Sequence, residues 1–320
     1  MIRSALTSLV LVALLAGCDA GAPVGHPDAT VPTPTWAPAP SASPAGVVSP
    51  AGGSPSAVAV SGPRTAVGLP SGLAVLDASG NALLPTPAPV RAVVALPSGG
   101  FRAVAGSTVL TVDGGGGGGP TVRWELPGPG TALAVHPSGW TAVAVPTLGD
   151  VIILSPTGAV TRTIHTGGNP GGVAVTGDLI GVLDPAETSL TVYDATSGAR
   201  REGLRAGDGA ATVTTDDKGR FLVLDARDGE LLVFETGPLL LRQRYPVPGG
   251  PYALTFTRSV LWVTVTQRNE LVGYDLSGGT PREVARHPTV RLPIAVAADP
   301  TTGTLAVAGS AEGLVQRISP

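Results

Sequence analysis

Among its 320 residues the chain has one cysteine, one lysine and four histidines. The single cysteine, Cys18, excludes an internal disulfide and any paired-cysteine metal motif. The single lysine, Lys218, joins 19 arginines, and the net charge is −3. That balance leaves no clustered basic footprint of the kind nucleic acid requires, so no nucleic-acid partner is expected. No stretch sustains a 3.6-residue apolar period in helix-forming residues, which excludes a helical bundle. The histidines (His26, His136, His165 and His287) form no HExxH or HxH motif, and the last three read as turn or outer-strand residues. No GxSxG nucleophile elbow is present. The six glycines at 114–119 lack the Lys-Ser/Thr and helix start that would make them a phosphate loop, and they read as a flexible insertion. Asp225, Asp228 and Glu230 come nearest to the alternating oxygens of a calcium loop, but their spacing is imperfect, so neither a metal nor another cofactor is expected.

The first eighteen residues are informative. Arg3 is the only charge before Asp19, and residues 5–16 are apolar except for Thr7 and Ser8. A positive start and a short apolar run describe a secretory signal, too short for the roughly 20 residues of a membrane span. The run ends Leu15-Ala16-Gly17-Cys18, which resembles the lipobox of bacterial lipoproteins at all four positions. The resemblance implies cleavage after Gly17, a lipid on the Cys18 thiol, and attachment to the cell membrane on its extracytoplasmic side. Residues 18–44 are rich in Pro, Ala, Ser and Thr, as in Pro32-Thr33-Pro34-Thr35-Trp36-Ala37-Pro38. They read as a disordered tether favouring polyproline II, which over some 26 residues reaches on the order of 80 Å. His26 and Trp36 read as incidental to it.

The remaining residues, 45–320, repeat. A short segment of small residues alternating with Val or Leu starts at Ala57, Ala92, Ala132, Gly172, Ala211, Ala253 and Ile294, a period of about 40 residues. A second segment at the same period ends in a polar-Gly turn, as in Ser189-Leu190-Thr191-Val192-Tyr193-Asp194 before Ala195-Thr196-Ser197-Gly198. Between them lies another strand, and after the turn a more polar one. Four strands per repeat predict an all-β, seven-bladed β-propeller of four-stranded blades. The pattern is similar to YVTN-type, surface-layer-like propeller repeats, with Tyr193–Gly198 the nearest match. The last repeat is one strand short, and Ala45-Gly46-Val47-Val48 is expected to supply that strand and close the ring. The glycine run replaces the hairpin of blade two. A six-bladed ring or a sandwich are the alternative readings.

On a propeller, ligands sit over the central channel. The repeat register places Asp184, Glu187, Asp225, Arg227, Asp228, Gln267, Arg268 and Glu312 in the loops between middle strands, making them the candidate channel-rim binding residues. Asp216 and Asp299 recur as turns between the first two strands. No catalytic residue is assigned. The expected function is a non-catalytic binding or scaffold module at the cell surface, with a protein, peptide or glycan as ligand. The alternatives are a lactonase-like propeller hydrolase and a subunit of an envelope complex.

Overall fold

The computed structural model describes residues 32–78, 80–114 and 120–319. The expected signal segment, Cys18, His26 and the first part of the tether lie outside the described residues, as do glycines 115–119.

The described chain forms seven four-stranded antiparallel sheets. Blade one is β2 (Ala57–Ser61), β3 (Arg64–Leu69), β4 (Gly72–Asp77) and β5 (Gly80–Pro85). Blade two is β6 (Val90–Ala95), β7 (Gly100–Ala105), β8 (Thr108–Asp113) and β9 (Pro120–Glu125). Blade three is β10 (Ala132–Val135), β11 (Thr141–Val145), β12 (Asp150–Leu154) and β13 (Val160–His165). Blade four is β14 (Gly172–Thr176), β15 (Leu179–Asp184), β16 (Ser189–Asp194) and β17 (Arg200–Arg205). Blade five is β18 (Ala210–Thr215), β19 (Phe221–Asp225), β20 (Glu230–Thr236) and β21 (Leu239–Pro246). Blade six is β22 (Pro251–Thr257), β23 (Val260–Val265), β24 (Glu270–Asp275) and β25 (Arg282–Pro288). Blade seven joins β26 (Pro293–Ala298), β27 (Leu305–Gly309) and β28 (Leu314–Ile318) to β1 (Val47–Pro50). Each innermost strand touches the next, and β26 touches β2, so the ring is closed. The structure is a seven-bladed propeller. Blade two keeps its outer strand pair: β8 and β9 pair, with Val112 opposite Pro120, so the expected replacement of that hairpin by the glycine run does not occur.

Burial explains the pattern of the strands. Second strands such as β7, β11, β19 and β27 are buried at every position, because neighbouring blades cover both faces. They therefore read as continuous apolar runs. Outermost strands face water, and β17 (Arg-Arg-Glu-Gly-Leu-Arg) is exposed throughout. The core consists of seams between blades. Leu183 and Leu190 of blade four pack in one cluster with Phe221 and Phe234 of blade five. Each such side chain contributes about 1.5–3 kcal/mol by leaving water.

Two faces follow from the topology. The upper face carries the loops between second and third strands and the steps between blades. The lower face carries the other turns. On the lower face arginines join successive blades by donating to backbone carbonyls. Arg64 reaches Asp113 O (2.9 Å), Arg162 reaches Ser197 O (2.9 Å), Arg258 reaches Thr301 O (3.1 Å) and Arg317 reaches Gly62 O (2.9 Å). Arg102 of blade two donates to Gly139 O (3.2 Å) and Thr141 Oγ1 of blade three and lies over the Trp124 ring at 4.6 Å. Burial pushes its guanidinium down to about 10. The fork of donors suits this work, since one side chain can serve several carbonyls.

The closing seam is built from both ends of the domain. Val47 pairs with Arg317 and Pro50 with Leu314, so the segment predicted at 45–48 does supply the missing outer strand, shifted by two residues. Gly46, at φ +71, has the Arg317 carbonyl oxygen 2.1 Å from where a Cβ would lie, so only glycine passes there. Gln316, fully buried, accepts from Val290 N (3.0 Å) through Oε1 and donates through Nε2 to Ala45 O (2.6 Å) and Pro288 O (3.0 Å).

One finding departs from the expected tether. From Thr35 the chain is already on the propeller. Ala37 is completely buried, and its carbonyl accepts from Arg291 Nε (3.2 Å) and Nη2 (3.0 Å). The Arg291 guanidinium lies 4.9 Å over the ring of Trp36, and Asn269 Nδ2 donates to Pro38 O (3.0 Å). Residues 40–42 then line a hollow with Arg268, Glu270 and Arg286 before Ala45 enters the seam. Trp36 is therefore a contact residue. Proline-rich chain docks here because its carbonyls meet fixed side-chain donors.

Candidate functional site

All eight candidate rim residues lie on the upper face, in the loops between second and third strands of blades four to seven or at the strand ends that open them. Asp184 and Asp225 close strands β15 and β19 and are buried. Asp184 Oδ1 accepts from the amides of Ala186 and Glu187 (both 3.0 Å), and Oδ2 from Asn169 N (2.6 Å). Asp225 repeats the pattern with Arg227 and Asp228 (both 3.0 Å) and with Asp208 N (2.7 Å). Each carboxylate ties its own loop to the preceding step between blades. Strand geometry thus turns both of these candidate rim carboxylates toward loop amides. On the lower face Asp299 does the same with the amides of Thr301, Thr302 and Gly62.

The others divide between neighbours. Arg227 donates to Asp208 O (2.8 Å). Arg268 donates to Pro248 O and lies 3.5 Å from Glu270, and Gln267 N donates to Gly249 O (3.0 Å). Glu312 is exposed on blade seven. Asp225, Asp228 and Glu230 are brought together, with one oxygen of each within 4.8 Å of the others. Desolvation raises the Asp228 carboxyl above its ordinary value, with Asp225, Asp208 and Glu230 adding like charge and Arg244 opposing them. Arg244 also holds Glu230 (2.6 Å), so the trio has a cation beside it and its most buried member is committed to amides.

Asp184 and Glu187 line a cleft of about 210 Å³ between blades three and four. Thr166 and Gly168 form one wall, and Ser189, Thr191, Tyr193 and Arg200 the other. Third- and fourth-strand residues make that wall, so the cleft opens outward of the ring's axis. Burial raises the Tyr193 hydroxyl, partly offset by the charge and hydrogen bond of Arg200. The loop above is strained. Thr188 has φ +48, where blades three, five, six and seven place Gly149, Gly229, Asn269 and Gly313. A β-branched residue in this region costs on the order of 1–2 kcal/mol, and such strain gathers at functional sites. Thr188→Gly is expected to raise stability by about 1 kcal/mol, read by urea unfolding, after the entropic cost of glycine is deducted. No gain would mean that the loop is relaxed as it stands.

Sequence reasoning missed Ser189, Thr191, Tyr193 and Arg200. A signal was available. The third residue of the third strand is Ala74, Leu110, Ile152, Leu232 and Val272 in five blades, but Thr191 in blade four and Gln316 in blade seven. The histidines lie apart: His136 stacks on Trp140 (4.8 Å), His287 on Trp262 (5.4 Å), and His165 Nδ1 meets Asp150 Oδ1 at 2.7 Å.

Solved structures match the whole ring. A chain of the mitotic checkpoint complex aligns with TM-score 0.74 at 14% identity, covering 98% of this chain and 99% of that one. These likenesses establish the fold. Kuenenia stuttgartiensis hydrazine synthase aligns at 0.69 with 15% identity, over 83% of this chain and 96% of that one. A streptogramin B lyase aligns at 0.68 with 15% identity, over 83% and 94%. No protein-family model and no curated protein matches the chain. The propellers it resembles thus span enzymes and an assembly component.

Proposed function

We propose that this chain is an extracytoplasmic lipoprotein, anchored through Cys18, whose propeller is a non-catalytic binding module for a polyhydroxy or peptide ligand at the cleft between blades three and four. One observation carries the reading. The cleft gathers hydroxyls (Thr166, Ser189, Thr191, Tyr193) with a cation and a carboxylate, Arg200 and Glu187, while the buried carboxylate Asp184 is spent on three amides. Such a wall supplies directional donors and acceptors rather than a proton relay. Docking from Thr35 leaves 16 residues after Cys18, a reach of roughly 50 Å at polyproline spacing. The enzyme reading draws on the likeness to a lyase, which concerns the ring and not the site.

The test uses neutral cell-wall oligosaccharides and short peptides as probes in titration calorimetry. Thr191→Val and Arg200→Ala are each expected to weaken binding at least tenfold, which is about 1.4 kcal/mol. In cells, Cys18→Ser is expected to abolish labelling by radioactive palmitate and release the protein from membranes. Probe turnover, binding that ignores both cleft variants, or membrane retention of Cys18→Ser would each defeat its part of the proposal.

A further inference from the structure

The upper surface of blades six and seven recognises residues 35–38 in detail. Three side-chain donors converge on two consecutive carbonyls: Arg291 Nε and Nη2 on Ala37 O, and Asn269 Nδ2 on Pro38 O. The donors are fixed from behind. Asn269 is 3% exposed, sits at φ +52, accepts from Leu292 N at 2.9 Å through Oδ1, and accepts from Thr289 N at 2.8 Å through its backbone carbonyl. Gly250 leaves room for Thr35, whose Cβ lies 3.2 Å from where a glycine substituent would stand. Trp36 offers its ring face to Arg291. The receiving surface reads carbonyls and one aromatic face, and it asks for no N–H. A proline-flanked segment, short of N–H groups but rich in outward carbonyls, matches that demand.

We propose that blades six and seven carry a peptide-binding site, selective for a Trp-Ala-Pro segment flanked by prolines, which residues 35–38 occupy in cis. The occupied site straps the N-terminal chain to the upper face and makes it a competitor of any similar peptide in trans. The site stands apart from the cleft between blades three and four and needs neither the lipid nor that cleft's ligand.

The test uses a fluorescent peptide of residues 33–40 and purified full chain, with binding read by anisotropy. Trp36→Ala combined with Ala37→Lys removes the aromatic contact and puts a bulky like charge beside Arg291 at a position with no spare room, so it expels the strap. The expelled chain is expected to bind the peptide at least tenfold more tightly than the wild-type chain, whose site is filled. Adding Asn269→Asp, which keeps the bond from Leu292 N but sets an oxygen against Pro38 O, is expected to weaken peptide binding at least fivefold. Adding Arg291→Lys, which loses the two-pronged donor, is expected to do the same. Equal binding to wild-type and expelled chains, no binding to the expelled chain, or indifference to both added changes would overturn the proposal. Should the expelled chain fail to fold, limited proteolysis decides: Asn269→Asp alone is expected to speed chymotryptic cleavage after Trp36 at least tenfold, because the buried Ala37 is then released from the surface. Unchanged cleavage would overturn the strap.

Discussion

Gln316→Leu is expected to destabilise the protein by about 3 kcal/mol and to loosen β1 before any other strand. The leucine fills similar volume, so the loss is polar. Val290 N–H and Ala45 C=O lose their only assigned side-chain partner, whereas Pro288 O keeps the amide of Ala45 (3.0 Å). A buried polar group left without a partner costs about 1–3 kcal/mol; Val290 N–H is such a group, and the part-buried Ala45 C=O adds a smaller loss. For a domain of this size the shift in Tm is roughly 6–12 °C. Hydrogen exchange supplies the diagnostic: amides of Val47–Ser49 are expected to lose protection while those of β11 and β19 keep theirs. A loss below about 1 kcal/mol with β1 still protected would show that backbone pairing alone holds the seam.

Asp225→Ala is expected to cost more, about 4 kcal/mol. The carboxylate is wholly buried and accepts three amides, those of Asp208, Arg227 and Asp228. Bonds to a charged acceptor contribute about 1.5–3 kcal/mol each, and partial access of water to the loop moderates their sum. Asp225→Asn separates the contributions. Its carbonyl can serve Arg227 and Asp228, but its NH2 faces the Asp208 amide, donor against donor, so about half the loss is expected. The same pair of changes at Asp184 is expected to follow the same order, because the geometry is repeated one blade earlier. The measurement is equilibrium unfolding in urea for all four variants. If Asn matched wild type at both positions, the third amide would have no part in holding the loops.

Much of the ring was legible because it is periodic. The seven small-residue segments coincide with β2, β6, β10, β14, β18, β22 and β26, since crowding at the axis constrains every blade alike. Closure was legible for a related reason: blade seven counted one strand short. What was hidden has no repeat. Trp36 reads as linker until Arg291 is seen above it, 255 residues later in the chain. Nothing in the sequence groups the arginines, yet Arg64, Arg102, Arg162, Arg258 and Arg317 each cross to the next blade. The candidate rim residues lie at the height expected, in or beside the loops between second and third strands, because register gives height along a strand. Register does not say which way a carboxylate turns, and Asp184 and Asp225 turn inward to amides. The cleft was concealed for the opposite reason: Thr191 is one hydroxyl-bearing exception in a column of apolar residues, and an exception shows only once the column is aligned.

The mixed parentage of blade seven sets an order of events during biogenesis. Ala45 and Gln316 are bonded across 271 positions, so the joint must wait until nearly the whole domain is available. Before that moment the molecule is a crescent with two raw edges, and bringing them together is a slow, long-range search. A crescent can also accept the leading strand of a second molecule, giving an interlocked pair instead of a single ring. Refolding yield should therefore depend on concentration, and an interruption of synthesis before β28 should favour that error.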